Sequence, residues 1–163
     1  MLTKEEPMTP KAKAIPDDYR AATPYLCVDG AARAIDFYKK AFGAQEVMRM
    51  GDPSGKIGHA EIRIREAPIM LSDEYPEMGA RSPRSIGGSP VAMQVYFEDV
   101  DAVAKAAVAA GAKVLRPVED QFYGDRAGKL EDPFGHIWWI ASRKEDVSSE
   151  EMKERAAKMF GGA

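Results

Sequence analysis

A seven-residue phrase occurs twice in this chain. Gly51-Asp52-Pro53-Ser54-Gly55-Lys56-Ile57 returns about 70 residues later as Gly124-Asp125-Arg126-Ala127-Gly128-Lys129-Leu130. The same order of parts precedes each copy. A short apolar run ends in acidic residues (Tyr25-Leu26-Cys27-Val28-Asp29; Val95-Tyr96-Phe97-Glu98-Asp99). A helical stretch closes on Gly43-Ala44 or Gly111-Ala112, and a second short run follows (Gln45 to Met50; Lys113 to Val118). Internal repetition decides the fold before any other signal. Two copies are too few for a solenoid and suit two fused modules that pack into one domain.

Size agrees with that reading. At 163 residues and 45% hydrophobic content, the chain can form two small modules around a shared core. The formal net charge of -3 offers no field to attract nucleic acid. No stretch approaches the ~20 apolar residues of a membrane span, so no membrane partner is expected. Residues 1–20 mix Lys4, Glu5, Glu6, Lys11, Lys13, Asp17 and Asp18 without an apolar core segment, unlike a secretory signal. Cys27 is the single cysteine, which excludes an intrachain disulfide and fits a cytoplasmic location.

Residues 1–20, with Pro7, Pro10 and Pro16, read as a flexible arm. Module one spans 21–74. Its first strand alternates Tyr25 and Cys27 with Leu26 and Val28. The helix after Gly30 carries an apolar stripe of Ala31, Ile35, Tyr38 and Phe42, stopped by Gly43. Strands over 45–50, 56–65 and 69–73 follow, the first two joined by an Asp52-Pro53-Ser54-Gly55 turn. Residues 75–90, with Pro76, Pro83 and Pro90, form a linker. Module two spans 91–143: a strand through Phe97, a helix capped by Asp99, strands over 113–118 and within 122–131, the Asp132-Pro133-Phe134-Gly135 turn, and a strand over 136–142. The tail, 144–163, holds an amphipathic helix from about Ser148 to Phe160. The predicted fold class is α+β: two βαβββ modules, their mixed sheets curled around a cavity. In each strand the aliphatic parity is assigned to the helices. The opposite parity (Thr23, Tyr25, Cys27, His59, Glu61, Arg63, Met70, Ser72, Ala92, Gln94, Tyr96, Ile137, Trp139) is assigned to a concave face.

Paired βαβββ units, the phrase Ala34-Ile35-Asp36-Phe37-Tyr38 leading to Phe42-Gly43-Ala44, and Asp132-Pro133-Phe134-Gly135-His136 before the last strand resemble the vicinal oxygen chelate superfamily. That group includes glyoxalase I, extradiol dioxygenases and bleomycin-resistance proteins. Gly58-His59-Ala60-Glu61, Met70-Leu71-Ser72-Asp73 and Tyr123-Gly124-Asp125-Arg126 are similar to its PhnB-like branch. The resemblance covers residues 21–143 and implies a homodimer. It also implies a divalent metal on inner-strand His or Glu, at positions that fall here on Thr23, Ser72, Ala92 and Trp139. Hydroxyls are weak ligands alone, and Ala and Trp cannot ligate, so the standard metal site is not expected.

His59 and Glu61 lie two apart on a strand and project to one side. They are the candidate catalytic pair, a general base with its orienting carboxylate, or half of a displaced divalent-metal site helped by Gln94 or Asp73. The structural alternative is a self-satisfied polar pair. Tyr25, Tyr96 and Trp139 would make an aromatic wall for a planar ligand. Arg63, Ser72, Gln94 and Tyr123 complete the candidate ligand contacts. Arg126 either clamps an anionic group or pairs on the surface with Asp125 or Glu131. His136 is expected to cap its turn or pack beside Trp138, and Cys27 to be an inert thiol. The leading functional expectation is a bleomycin-resistance-like protein that binds a small, partly aromatic molecule between modules, with no resident cofactor. The alternative is a metal-dependent lyase or dioxygenase built on His59 and Glu61.

Overall fold

The computed structural model describes residues 12–161. The expected arm therefore lies outside the described residues over 1–11. The elements are β1 (Tyr25–Val28), α1 (Ala31–Phe42), β2 (Gln45–Gly51), β3 (Ile57–Ile64), β4 (Ala67–Asp73), a 3-10 turn (Pro76–Met78), α2 (Pro83–Ile86), β5 (Ala92–Tyr96), α3 (Val100–Ala109), β6 (Lys113–Asp120), β7 (Asp125–Glu131), β8 (Ile137–Arg143) and α4 (Ser149–Phe160). Two four-stranded mixed sheets result, ordered β1-β4-β3-β2 and β5-β8-β7-β6. The first and last strands of each module pair in parallel and the others antiparallel. This is the α+β architecture of two βαβββ modules. The two sheets are separate and are not closed into one barrel. Among the described residues, no helix is long and apolar enough to cross a membrane.

The helix ends follow local chemistry. Asp99 accepts the Ala102 N–H and caps α3, and Ser148 accepts the Glu151 N–H and caps α4. Gly30 has no side chain to cap α1, and Asp73 at the end of β4 supplies the carboxylate instead. Its Oδ1 accepts the Gly30 and Ala31 N–H groups at 2.9 and 2.8 Å, and its Oδ2 accepts the Ile57 N–H at 2.7 Å. In module two Ser142, at the same place on β8, accepts the Val100 N–H through Oγ at 3.0 Å.

These two capping residues fix the internal equivalence, and it differs from the one the repeated phrase implies. Asp73 corresponds to Ser142, so strand pairing makes Met70 the counterpart of Trp139, Glu61 of Lys129, His59 of Ala127 and Tyr25 of Gln94. The first phrase is the β2–β3 turn, whereas the second is strand β7 itself. Gly55 is a left-handed turn residue with open space around it. Gly128 sits mid-strand, where a Cβ would lie 2.8 Å from Val118 Cγ2. The turn that truly recurs is Asp-Pro-x-Gly. Asp52 Oδ1 accepts the Ser54 and Lys56 N–H groups, just as Asp132 Oδ1 accepts those of Phe134 and His136. One of these turns joins β2 to β3 and the other β7 to β8.

The expected aliphatic parity is buried in β1, β3, β4 and β8, whereas β2 and β6 bury no residue on either parity. Leu26, Val28, Ala60, Ile62, Ile64, Leu71, Trp138 and Ile140 are buried toward the helices. A single core runs through both modules. At their junction, Phe37, Tyr38 and Phe42 of α1 meet Phe97, Phe134 and Trp138 of module two, with Phe42 and Trp138 ring centroids 4.8 Å apart. Phe37 lies outside the predicted stripe and is buried because α1 packs against module two as well as its own sheet. Asp132 sits inside this cluster. Its Oδ2 accepts the Tyr38 hydroxyl at 2.7 Å and the Trp138 indole N–H at 2.9 Å. Burial, and then the Asp132 charge, push the Tyr38 hydroxyl well above the ordinary tyrosine value. His136 crosses the junction too, its Nε2 donating to the Cys27 carbonyl at 3.0 Å; the sequence placed it only beside its own turn or Trp138. The 75–90 segment carries the short helices above, the Tyr75–Ala80 bridge and a fully buried Ser82.

Replacing Asp132 with Ala strands two buried side-chain donors and two turn amides. Urea denaturation of Asp132→Ala is expected to show a loss of about 3–5 kcal/mol. Tyr38→Phe, which removes one donor and leaves the carboxylate three, should lose only about 1–2 kcal/mol. Equal losses in the two variants would contradict the hub role of Asp132.

Candidate functional site

The faces turned away from the helices carry two separate side-chain clusters. On module one, β1 places Tyr25 beside β3, where alternation puts His59, Glu61 and Arg63 on one side. Tyr25 Oη lies 2.9 Å from His59 Nδ1, and His59 Nε2 lies 3.1 Å from Glu61 Oε1. The other Glu61 oxygen accepts a short hydrogen bond from the Tyr19 hydroxyl. Asp18 pairs with Arg63 at 3.0 Å. The end of the N-terminal segment therefore lies across this cluster, and nothing in the sequence beyond an isolated Tyr in a polar stretch pointed to Tyr19. The Tyr19 hydroxyl and then the His59 ring hold the Glu61 carboxyl below the usual glutamate range, and Glu61 in turn raises the Tyr19 hydroxyl. With Glu61 ionised, the network is satisfied when His59 donates from Nε2 and accepts the Tyr25 hydroxyl at Nδ1. A chain of four groups results, able to orient an imidazole and to relay a proton.

On module two, Tyr96 donates to Asp125 at 2.5 Å, and Arg143 pairs with the same carboxylate. Tyr123 stands close by, its hydroxyl raised first by burial and then by the Asp125 charge. Trp139 is half-buried. Arg116 and Lys129 both approach its ring, at 5.7 and 5.5 Å from the centroid. Sequence reasoning missed both cations: Arg116 follows a bulge in β6 that changes its parity, and the strand within 122–131 was given no register that would set the side of Lys129.

Several expectations need correction. Tyr25, Tyr96 and Trp139 do not form one wall: Tyr25 tilts against His59, Tyr96 lies under Arg143, and Trp139 lies under Arg116 and Lys129. Ser72 is buried and does not line an open surface. Arg126 pairs with Asp101 and Asp120, which ties α3 to the β6–β7 hairpin, and is thus committed to the surface. Cys27 is half-buried, and burial followed by the Glu74 and Asp73 charges raises its thiol, which makes it a poor nucleophile. Among the described residues, the seam between the modules holds open grooves. One of about 510 Å³ is lined by Arg65, Gln94, Tyr96, Glu98 and Arg143; another of about 430 Å³ is lined by Thr23, Pro24, Ile69, Met93 and Trp138.

The donor set does not fit the metal that the fold implies. Both oxygens of Glu61 and both ring nitrogens of His59 have protein partners. Asp73 spends its carboxylate on three backbone N–H groups, and Gln94 belongs to the other sheet. Among the described residues, no three His, Cys, Asp or Glu side chains are grouped as metal ligands.

A family model for the Glyoxalase/Bleomycin resistance protein/Dioxygenase superfamily matches residues 20–140. The chain belongs to that superfamily. An uncharacterized protein of Mycobacterium tuberculosis is 46% identical over 136 residues, covering 82% of this chain and 80% of its own. The X-ray structure of an Arabidopsis thaliana gene product shares 27% identity and a TM-score of 0.61, over 76% of this chain and 98% of that one. A PhnB protein from Bacillus cereus, at 19% identity and a TM-score of 0.60 over 76% of this chain and 99% of its own, shows the fold alone. This superfamily member therefore keeps the βαβββ pair, while Tyr19 of its N-terminal segment, Glu61 and His59 of β3 and Tyr25 of β1 form a hydrogen-bonded chain.

Because Glu61 has a lowered pKa in the fold, the stability it contributes is present above the unfolded-chain value of about 4.3 and is lost as pH falls through the folded value. Melting temperature followed from pH 6 down to pH 3 should therefore drop less in Glu61→Gln than in the native protein. Parallel curves for the two would show that the network does not stabilise the ionised carboxylate.

Proposed function

We propose that this protein binds a small, partly aromatic organic molecule on the inner faces of its sheets, without the metal site usual in its superfamily. It belongs on this reading to the PhnB-like branch, which the Gly58-His59-Ala60-Glu61 and Met70-Leu71-Ser72-Asp73 strings support. One observation carries the proposal. The helix-facing side of each sheet is packed apolar core, while the other side presents Tyr25, Tyr96, Trp139, His59 and Glu61 at least partly open to solvent. Aromatic bodies with a few convergent polar groups are the usual lining of small-molecule sites.

Each face by itself is half a site. Tyr25 (53% exposed), Met50 (54%) and Tyr96 (40%) are large side chains left uncovered, and the sheets end in open edges. A homodimer in which the module-one face of one protomer meets the module-two face of its partner would enclose the ligand. It would also unite the aromatic residues that one chain keeps apart. The proposed setting is the cytoplasm.

A second reading is supported by the Tyr19-Glu61-His59-Tyr25 chain. An imidazole held between a carboxylate and a phenol is poised for acid–base chemistry on the bound molecule, with His59 as the proton-transferring group and Glu61 as its orienter.

Screening planar aromatic compounds by tryptophan emission should find ligands that change the signal saturably, and Trp139→Phe should lose that response while keeping the fold. Sedimentation should give a dimer. Titration of chelator-treated protein with Ni, Zn, Mn and Fe(II) should show no stoichiometric binding. One equivalent of metal that disappears in His59→Ala would overturn the metal-free reading in favour of a lyase or dioxygenase site.

A further inference from the structure

Arg116, Lys129, Trp139 and Gln94 form one row across the four strands of the second sheet. Arg116 stands directly opposite Lys129, Lys129 opposite Trp139, and Trp139 opposite Gln94. Like charges directly opposite on neighbouring strands are unfavourable, and sequences normally separate them or place a carboxylate between them. Among the described residues, no carboxylate is paired with either cation. Of the acids on the same face, Asp125 takes Arg143 and the Tyr96 hydroxyl, Glu131 stands opposite Lys113, and Glu119 stands opposite Ala127. Both cations lean on the ring of Trp139 instead. The corresponding row in module one is Met48, Glu61, Met70 and Tyr25, which carries no cation at all. The backbone of a βαβββ module therefore does not require two positive charges at this place.

We propose that Arg116 and Lys129 form an anion subsite, and that the ligand of this protein is a ring-bearing organic anion. Its carboxylate or other oxyanion lies between the guanidinium and the ammonium, and its apolar body lies along Trp139 toward Gln94 and Tyr96. This deepens the binding function proposed above and rests on it. Arg116 supplies a planar fork and Lys129 a point charge, a combination that holds an oxyanion from two sides. Both side chains already rest against Trp139, which lowers the side-chain ordering left to be done on binding.

The test compares 2-naphthoate with its neutral isostere 2-naphthamide by calorimetry on the full-length protein. The acid should bind about tenfold or more tightly than the amide, and the difference should shrink as salt is raised. Arg116→Gln/Lys129→Gln should bind the two compounds with equal affinity. Because the substitution relieves a repulsion, its melting temperature should hold or rise by about 1–3 °C. Equal affinity of acid and amide in the native protein overturns the anion subsite and leaves the aromatic-binding function standing. Failure of both compounds counts against the subsite, while the wider function falls only if the compound screen fails as well. Loss of dimerisation in the double variant, reproduced by Glu61→Gln, would show that the cations face the carboxylate of a second copy, and would overturn the proposal.

Discussion

The Asp132 carboxylate holds the two modules together. It is a charged group, 4% exposed, in the middle of an aromatic cluster, and such a group is tolerable only when its lone pairs are satisfied. Four donors do so: two amides of its own turn, the Trp138 indole of the same module, and the Tyr38 hydroxyl of the other. The Tyr38 bond joins residues 94 apart in sequence. It fixes the register of α1 against β8, and with that the position of each sheet. A hydrophobic contact of the same area would permit sliding; a buried carboxylate with four directional partners does not.

With the frame fixed in this way, the two modules are free to differ on their other faces. The backbone positions that hold Tyr25, His59 and Glu61 in one hold Gln94, Ala127 and Lys129 in the other. In β1, β3, β4 and β8 burial drives one parity toward apolar residues, because those positions must fill the core. The opposite parity is more open to solvent and under less such demand. The outcome is one face with a relay of hydroxyl, carboxylate and imidazole, and another with an indole flanked by two cations.

Much of this could be read from the chain. Alternation in Leu26–Val28 and Ala60–Ile64 gives the strands and their buried side, and Gly43 and Asp99 mark helix ends, because these signals act over a few residues. The repeated Gly-Asp phrase was a poor guide for the same reason. A similar string serves as a turn at 51–57 and as a strand at 124–130, and only hydrogen bonding between distant strands separates the two uses. His59 with Glu61 was legible because two residues apart on a strand share a side. The bulge that brings Arg116 opposite Lys129 was not, since strand spacing alone gives no sign of one extra residue.

The amino-acid sequence by itself determined the superfamily, the two-module plan and the buried parity of β1, β3, β4 and β8, since each depends on residue type and local period. Tertiary structure alone decided which candidates meet. It separated Tyr25 from Trp139, buried Ser72, committed Asp73 to capping and Arg126 to the surface, and laid Tyr19 over Glu61. Those outcomes depend on strand order, bulges and the angle between sheets, which long-range packing fixes and no neighbouring residue encodes.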